Sequence, residues 1–339
     1  MVQISFKNFL SDNPRLYEFS EPINAAEFIN DTLFLELINT DAFKRLARVS
    51  FLGGIDYLLV PSPNGATGNS RYNRYQHSLG VARLALEYSA EIELRPDDRR
   101  FIVVAALLHD IGHAPLSHSV EPVFRECFGM DHHAATLDIL FGHTPIGRDI
   151  YKILRRHSID LDRLKLLISG KDPSYHAFFS GPINFDTIEG ILRTRAFGNA
   201  PASFTPDVVA KAATSRTTEA HKKIVDRFWH HKNEVYNSVI NSKLGVLADQ
   251  VCQLFARRNL PSLEVSDFFI TEDSLFRKLP GLRQLLTSSN FAAEAAQILP
   301  ETIKYTSRRF AIDETADFFS WEDARRYYQT RETMILYNK

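Results

Sequence analysis

The sequence predicts a predominantly α fold, and three features carry that reading. From about residue 25 onward, apolar residues return at the spacing of amphipathic helices in one segment after another. Gly, Pro, Asn and Ser gather between those segments, where a chain changes direction. The composition is that of an ordinary globular chain, 44% hydrophobic and 24% charged over 339 residues, long enough for one large domain or one domain with an appendage.

Residues 1–24 mix short alternating runs with Asn, Pro and Ser and read as a short extended segment. A main body over residues 25–258 follows. AAEFINDTLFLELIN (25–39) and TDAFKRLARVSFLG (40–53) open it, the second with Thr40 or Asp41 to cap its start and Gly53–Gly54 to stop it. IDYLLVPSPNGATGNSRYN (55–73) reads as a short extended piece and then a loop. Helical text resumes in HSLGVARLALEYSAEI (77–92), RPDDRRFIVVAALLHDIG (95–112) and VEPVFRECF (120–128), with shorter helices expected over 132–142, 145–157 and 160–169. NFDTIEGILRTRAFG (184–198) and DVVAKAATSR (207–216) continue the pattern, and residues 221–258 form its longest stretch. Past Pro261 the segments shorten (VSDFFI, DSLFRKL, AAEAAQIL, WEDARRYYQTR), so residues 259–339 read as a mostly helical C-terminal appendage.

Charge and cysteine content exclude several function classes. Lys+Arg totals 40 and Asp+Glu 41, so no net field draws the chain to nucleic acid or membrane. Cys127 and Cys252 are too few for a disulfide framework or a cysteine zinc site, and a reducing cytoplasm suits them. The opening MVQISFKNFLSDNPRL lacks the apolar core of a signal peptide, and no apolar run approaches a membrane span. A cytoplasmic protein with no membrane attachment is expected.

LLHDIGHAPLSH (107–118) concentrates the chemistry. The apolar run FIVVAALL (101–108) leads straight into His109, Asp110, His113 and His118. Six of the 12 histidines lie between residues 77 and 133: His77, His109, His113, His118, His132 and His133. An imidazole beside a carboxylate is a good mixed donor set for a divalent ion, and burying Asp110 without compensation would be costly. Gly112 and Pro115 suggest that the helix ends soon after, leaving His113 and His118 on a turn. His77 opens one helix and Asp186 stands at the head of another, where a plain helix-dipole role is the alternative.

The chain resembles the HD-domain metal-dependent phosphohydrolases, whose signature is a His, a His-Asp pair and a distant Asp. Here those are His77, His109–Asp110 and Asp186. INTDAFKRLARVSFLGG (38–54), RYNRYQHSLGVARLA (71–85), LLHDIGHAPLSH and VDRFWHHK (225–232) resemble successive motifs of the deoxynucleoside triphosphate triphosphohydrolase branch. The resemblance implies an HD-domain helical fold, a divalent metal (Mn, Fe, Ni, Zn or Mg, with room for a second ion arriving with substrate) and a homo-oligomer. It implies a catalytic His113 acting as general acid, with Glu121 as the carboxylate that holds its imidazolium, and a catalytic His132 for which His133 is the alternative. It also implies phosphate contacts from Arg74, His118, Arg227 and His231. From the residues alone, Glu121 reads as a first-turn helix residue beside Pro122, and Arg227 as part of a solvated face with Lys222, Lys223 and Asp226.

Two positions depart from the branch. Gly190 stands one turn beyond Asp186, where a tyrosine usually meets the sugar, and Phe51 stands in SFLGG where a glutamine often reads a sugar hydroxyl. The leading expectation is a nucleotide phosphohydrolase that releases nucleoside and tripolyphosphate from a (deoxy)nucleoside triphosphate. A signalling nucleotide or an oligonucleotide is the alternative substrate, with Gly190 making room for something larger. A non-catalytic nucleotide- or nucleic-acid-binding HD module and a purely structural helical protein are the competing classes; net charge gives nucleic-acid binding little support.

Overall fold

The main body forms around two long helices that bury apolar faces against each other. A computed structural model describes residues 23–28, 30–59, 72–197, 204–318 and 325–338. Helix α1 (Thr32–Asn39) starts at Asp31, whose carboxylate accepts from Leu33 N at 2.9 Å, and α2 (Asp41–Arg45) starts at Thr40. The segment expected as one helix over 25–39 is therefore divided, because Asp31 caps rather than continues it. Expected to run to residue 53, the second helix ends at Arg45 in a 3-10 turn, and Gly53 instead opens a separate turn at φ +67°. Residues 56–59 form a helical turn, α3 (Asp56–Leu59), where an extended piece was expected.

Helices α4 (Arg74–Glu91) and α5 (Pro96–Leu108) build the centre. Asn73 caps α4 by accepting from Gln76 N at 2.9 Å; Pro96, Asp97 and Asp98 give α5 a first turn suited to the helix dipole. Around them stand α6 (Glu121–Phe128), α7 (His132–Leu140), α8 (Arg148–Arg156), α9 (Leu161–Ile168), α10 (Phe185–Phe197) and α11 (Pro206–Ser215). The stretch expected as one helix over 221–258 becomes α12 (Glu219–Val235), a π-helical turn at 236–240, and α13 (Lys243–Arg258), which Ser242 caps.

The C-terminal region departs most from expectation. After α14 (Glu272–Lys278), α15 (Leu282–Leu286) and α16 (Phe291–Ile298), the chain forms an antiparallel hairpin, β1 (Thr302–Ile312) with β2 (Tyr327–Tyr337). The text WEDARRYYQTR, expected to be helical, is strand from Tyr327. Its Tyr327, with Phe310 of β1, packs on Trp229 of α12, with ring centroids 5.4 and 5.3 Å away. Trp229 Nε1 donates to Ala311 O at 2.8 Å. The protein is thus predominantly helical with one two-stranded sheet among the described residues. Residues from α13 to α16 share a buried cluster with Ala114, Leu116 and Val120 of the histidine-rich turn. No helix among the described residues is long and apolar enough to cross a membrane. The expected extended segment over 1–24 lies outside the described residues save for its last two.

Candidate metal centre and catalytic cluster

The four residues implied as metal ligands come together from three elements. His77 stands in the first turn of α4, His109 follows the last residue of α5, Asp110 is on the turn beyond, and Asp186 opens α10. His77 Nε2 lies 3.0 Å from Asp186 Oδ1 and 3.5 Å from Asp110 Oδ2. His109 Nε2 lies 3.6 Å from Asp110 Oδ2 and 3.9 Å from Asp186 Oδ1. Separations of 3–4 Å between donors suit a shared ion bound at about 2.0–2.2 Å by nitrogen and oxygen.

The outer nitrogens fix which way these imidazoles face. His77 Nδ1 meets Glu189 Oε2 at 2.5 Å, and His109 Nδ1 meets the Ala106 carbonyl at 2.8 Å. A proton on each Nδ1 leaves the Nε2 lone pair turned inward, the arrangement a histidine ligand needs. His109 Nε2 is buried and has no hydrogen-bond partner among the described residues. A buried polar atom left so is costly, and a cation between the two carboxylates would satisfy it. Burial works against a proton on His77, but Glu189, Asp186 and Asp110 outweigh it and lift its pKa to about 9. Those same charges favour a divalent ion.

Glu189 is the residue the sequence reading missed. Fully buried, it also accepts from Arg193 Nε at 2.8 Å, and Arg193 Nη2 reaches the Gln76 carbonyl at 3.0 Å. Asp186, Glu189 and Arg193 at i, i+3 and i+7 share one face of α10, the available but unread signal. Gly80 on α4 makes this packing possible, since a Cβ there would run into the Glu189 carboxylate.

Arg74 is committed to the protein. Its guanidinium donates to Asp110 Oδ2 at 2.6 Å, Phe51 O at 2.9 Å and Ser117 Oγ at 3.0 Å. It aims the carboxylate of Asp110. The turn carrying these groups is strained, with Leu116 and Ser117 both at positive φ (60° and 44°). Buttresses hold it: Ser117 Oγ donates to Ser50 O at 2.6 Å, and the buried Glu272 carboxylate accepts from Leu116 N at 2.9 Å and Ser50 N at 2.6 Å.

A second cluster adjoins the first. His113, His118, Glu121 and His132 bring ligand atoms within 4.8 Å of one another, as do His77, His109 and Asp186. Glu121 partners His132 (Oε2 to Nδ1, 2.6 Å) and not His113, so the imidazolium it can hold belongs to His132. The reason is geometric: α6 and α7 bring their first turns together, while His113 faces Asp110, with Nε2 3.2 Å from Oδ1. His113 is buried and its ring stacks on His132 at 4.4 Å and 7°. Burial first, then Arg74, lowers the His113 pKa well below the usual imidazole range against the pull of Asp110. Despite burial, the hydrogen bond and charge of His132 lower Glu121 to about 2. His118 sits at the mouth with its side chain 61% exposed, and its Nδ1 is 3.9 Å from Glu121. His133 is exposed, whereas His132 carries the contact with Glu121.

Arg227 and His231 are not brought into either cluster. Arg227 is exposed; His231 lies 3.3 Å from Glu234 and 5.5 Å between ring centroids from Phe204. The two departing positions meet each other. Phe51 packs against His77 with centroids 4.7 Å apart, and a Cβ on Gly190 would lie 3.3 Å from Phe51 Cζ. The room expected at Gly190 is filled by the Phe51 ring.

Residues 74–177 match the HD domain family model, a span ending nine residues before Asp186. The uncharacterized protein YwfO of Bacillus subtilis is 34% identical over 140 residues, 40% of this chain and 30% of YwfO. The deoxynucleoside triphosphate triphosphohydrolase SAMHD1 of Gallus gallus is 29% identical over 155 residues, 42% of this chain and 24% of that protein. SAMHD1 of Danio rerio is 34% identical over 113 residues, 31% of this chain and 17% of its own length. The chain therefore spans less than a third of the length of these relatives.

Proposed function

The chain carries an HD domain and resembles the deoxynucleoside triphosphate triphosphohydrolase branch of that superfamily; from this premise we propose that it is a metal-dependent phosphohydrolase acting on a nucleoside triphosphate. One observation carries the reading: the buried, unpartnered His109 Nε2 sits among His77, Asp110 and Asp186, with each histidine Nε2 3.0–3.9 Å from a carboxylate oxygen of both aspartates. His77, His109, Asp110 and Asp186 would hold the ion. Bound there, a divalent cation (Mn, Fe, Ni, Zn or Mg) supplies Lewis-acid polarisation of a phosphoryl oxygen.

The chain's own residues do the rest. Glu189 and the Ala106 carbonyl keep both histidine ligands in one tautomer, and Arg74 keeps the Asp110 carboxylate turned to the site. His132, whose Nδ1 meets the Glu121 carboxylate, is the group that delivers a proton to the departing alkoxide. His113 walls the space between His132 and Asp110, and His118 at the mouth meets phosphate. Phe51 closes the region beside His77 and Gly190, so sugar recognition rests on a ring from the 50–52 turn instead of from α10.

The reaction proposed is hydrolysis at the α-phosphorus, giving nucleoside and tripolyphosphate in a cytoplasmic homo-oligomer. A panel of deoxynucleotides, ribonucleotides, cyclic and alarmone nucleotides and a single-stranded oligonucleotide, each with the candidate metals, tests it by product chromatography. Tripolyphosphate in step with nucleoside is the expected result. Pyrophosphate or monophosphate products would redirect the substrate assignment, and no hydrolysis under any metal would overturn the enzyme reading.

A further inference from the structure

The C-terminal hairpin places two arginines where ordinary strand pairing disfavours them. Arg308 of β1 is directly opposite Arg331 of β2, and like charges so placed repel. Both are exposed, and among the described residues neither forms an ion pair with a carboxylate. Glu332 follows Arg331 but alternation turns it to the other face, opposite Ser307.

The face that carries the pair is fixed. Phe310 and Tyr327 alternate with Arg308 and Arg331 on the same side, and they pack against Trp229 and Tyr236 of the α12 end. Asp226 clamps the hairpin's base, accepting from Arg326 Nη2 at 2.7 Å and Tyr327 Oη at 2.8 Å. Arg308 and Arg331 both lie within electrostatic reach of the Tyr236 phenol, as does Asp186 of the metal cluster. Tyr236 opens the π-helical turn, a local irregularity often found at functional sites.

Lys232 completes the group. It is buried, lies over the rings of Trp229 (4.7 Å) and Phe310 (4.6 Å), and donates to Pro182 O at 3.0 Å. Burial lowers its pKa to about 8, with Asp186 opposing and Arg308 adding to the effect. Lys232 thus ties the strand face that carries the two arginines to Pro182, four residues before Asp186.

We propose that Arg308 and Arg331, with Lys232 and Tyr236, form a clamp for the polyphosphate chain of the substrate. This deepens the phosphohydrolase reading and rests on it for the identity of that substrate. Paired guanidinium forks match phosphate oxygens, and a bound anion removes the repulsion between them. Arg309 provides an internal control: it is exposed on the same strand, carries the same charge, and faces away, opposite Thr330.

Inorganic tripolyphosphate titrated calorimetrically into the full-length, metal-loaded protein tests the clamp without requiring turnover. R308Q/R331Q should weaken binding about tenfold or more, with the thermal midpoint unchanged or raised, while R309Q leaves binding as in the wild type. R331Q alone should show part of the loss and serves if the double variant fails to fold. In turnover, KM for the nucleotide should rise with kcat little changed. Equal binding by R308Q/R331Q and wild type, equal losses in R309Q, or no tripolyphosphate binding by wild type would each overturn the proposal. So would loss of binding confined to a single-stranded oligonucleotide, which would make the face a nucleic-acid contact. Tripolyphosphate binding without hydrolysis of any nucleotide would fault the activity and leave the clamp standing.

Discussion

The two histidine clusters of this protein lie side by side and are backed in opposite ways. In the His77–His109–Asp110–Asp186 cluster each histidine is tied outward, to Glu189 and to the Ala106 carbonyl, with its inner nitrogen left to face carboxylates. In the His113–His118–Glu121–His132 cluster the rings touch one another, and one carboxylate, Glu121, partners one of them. The first aims its inner imidazole nitrogens at converging carboxylates, which suits a bound cation. The second places a carboxylate-backed imidazole beside it, which suits movement of a proton. Residue types hardly differ between them; what faces the outer nitrogens decides the role.

That contrast can be broken at several points. The largest effect is expected from Asp110→Asn, which removes the carboxylate shared by His77, His109 and Arg74; hydrolysis, followed by product chromatography, should disappear, and appreciable turnover would contradict the ligand assignment. His132→Ala or Glu121→Gln should lower kcat by about 10²–10⁴-fold while metal stays bound, and a variant losing metal would merge the two clusters into one. Glu189→Gln acts one shell out: metal affinity, measured by competition with a chelator, should weaken about 10–100-fold, and unchanged affinity would remove Glu189 from the account. Phe51→Ala should shift the ratio of kcat/KM between deoxy- and ribonucleotides by roughly tenfold, the scale of discrimination from apolar contacts; an unchanged ratio would free the sugar region from this ring.

The smallest effect concerns stability away from both clusters. Burial raises Asp249 to about 6 against the hydrogen bond from Ser119. An acid with a raised folded pKa keeps its proton where the unfolded chain has released it, so its contribution falls as pH climbs from about 4 to about 6. In urea denaturation, Asp249→Asn should therefore gain on the wild type over that interval. A difference independent of pH would rule out Asp249 as the source.

The proposed metal ligands could be picked out because three of them sit in two compact motifs, NRYQHS and LLHDIGHAPLSH, whose spacing survives without tertiary knowledge. Glu189 could not, since its task appears only when α10 lies against α4 and Gly80 makes room for it. Glu121 was found but given the wrong partner, because whether it meets His113 or His132 depends on how α7 docks. The hairpin was hidden by its own burial pattern. In β1 the buried positions are Ile303 and Ser307, then Phe310, so the inward face changes as the strand passes from the α13–α16 core to α12. A strand serving two cores shows no clean period of two. The mixed charges of WEDARRYYQTR then imitate a solvated helix, although β2 is held by Asp226 and Trp229, about 100 residues earlier.

Elemental analysis of bound metal after dialysis, run on wild type, His109→Ala and His132→Ala, tests the division of labour most directly. The account predicts stoichiometric metal in wild type and His132→Ala and none in His109→Ala. Metal retained by His109→Ala, or lost from His132→Ala, would contradict it.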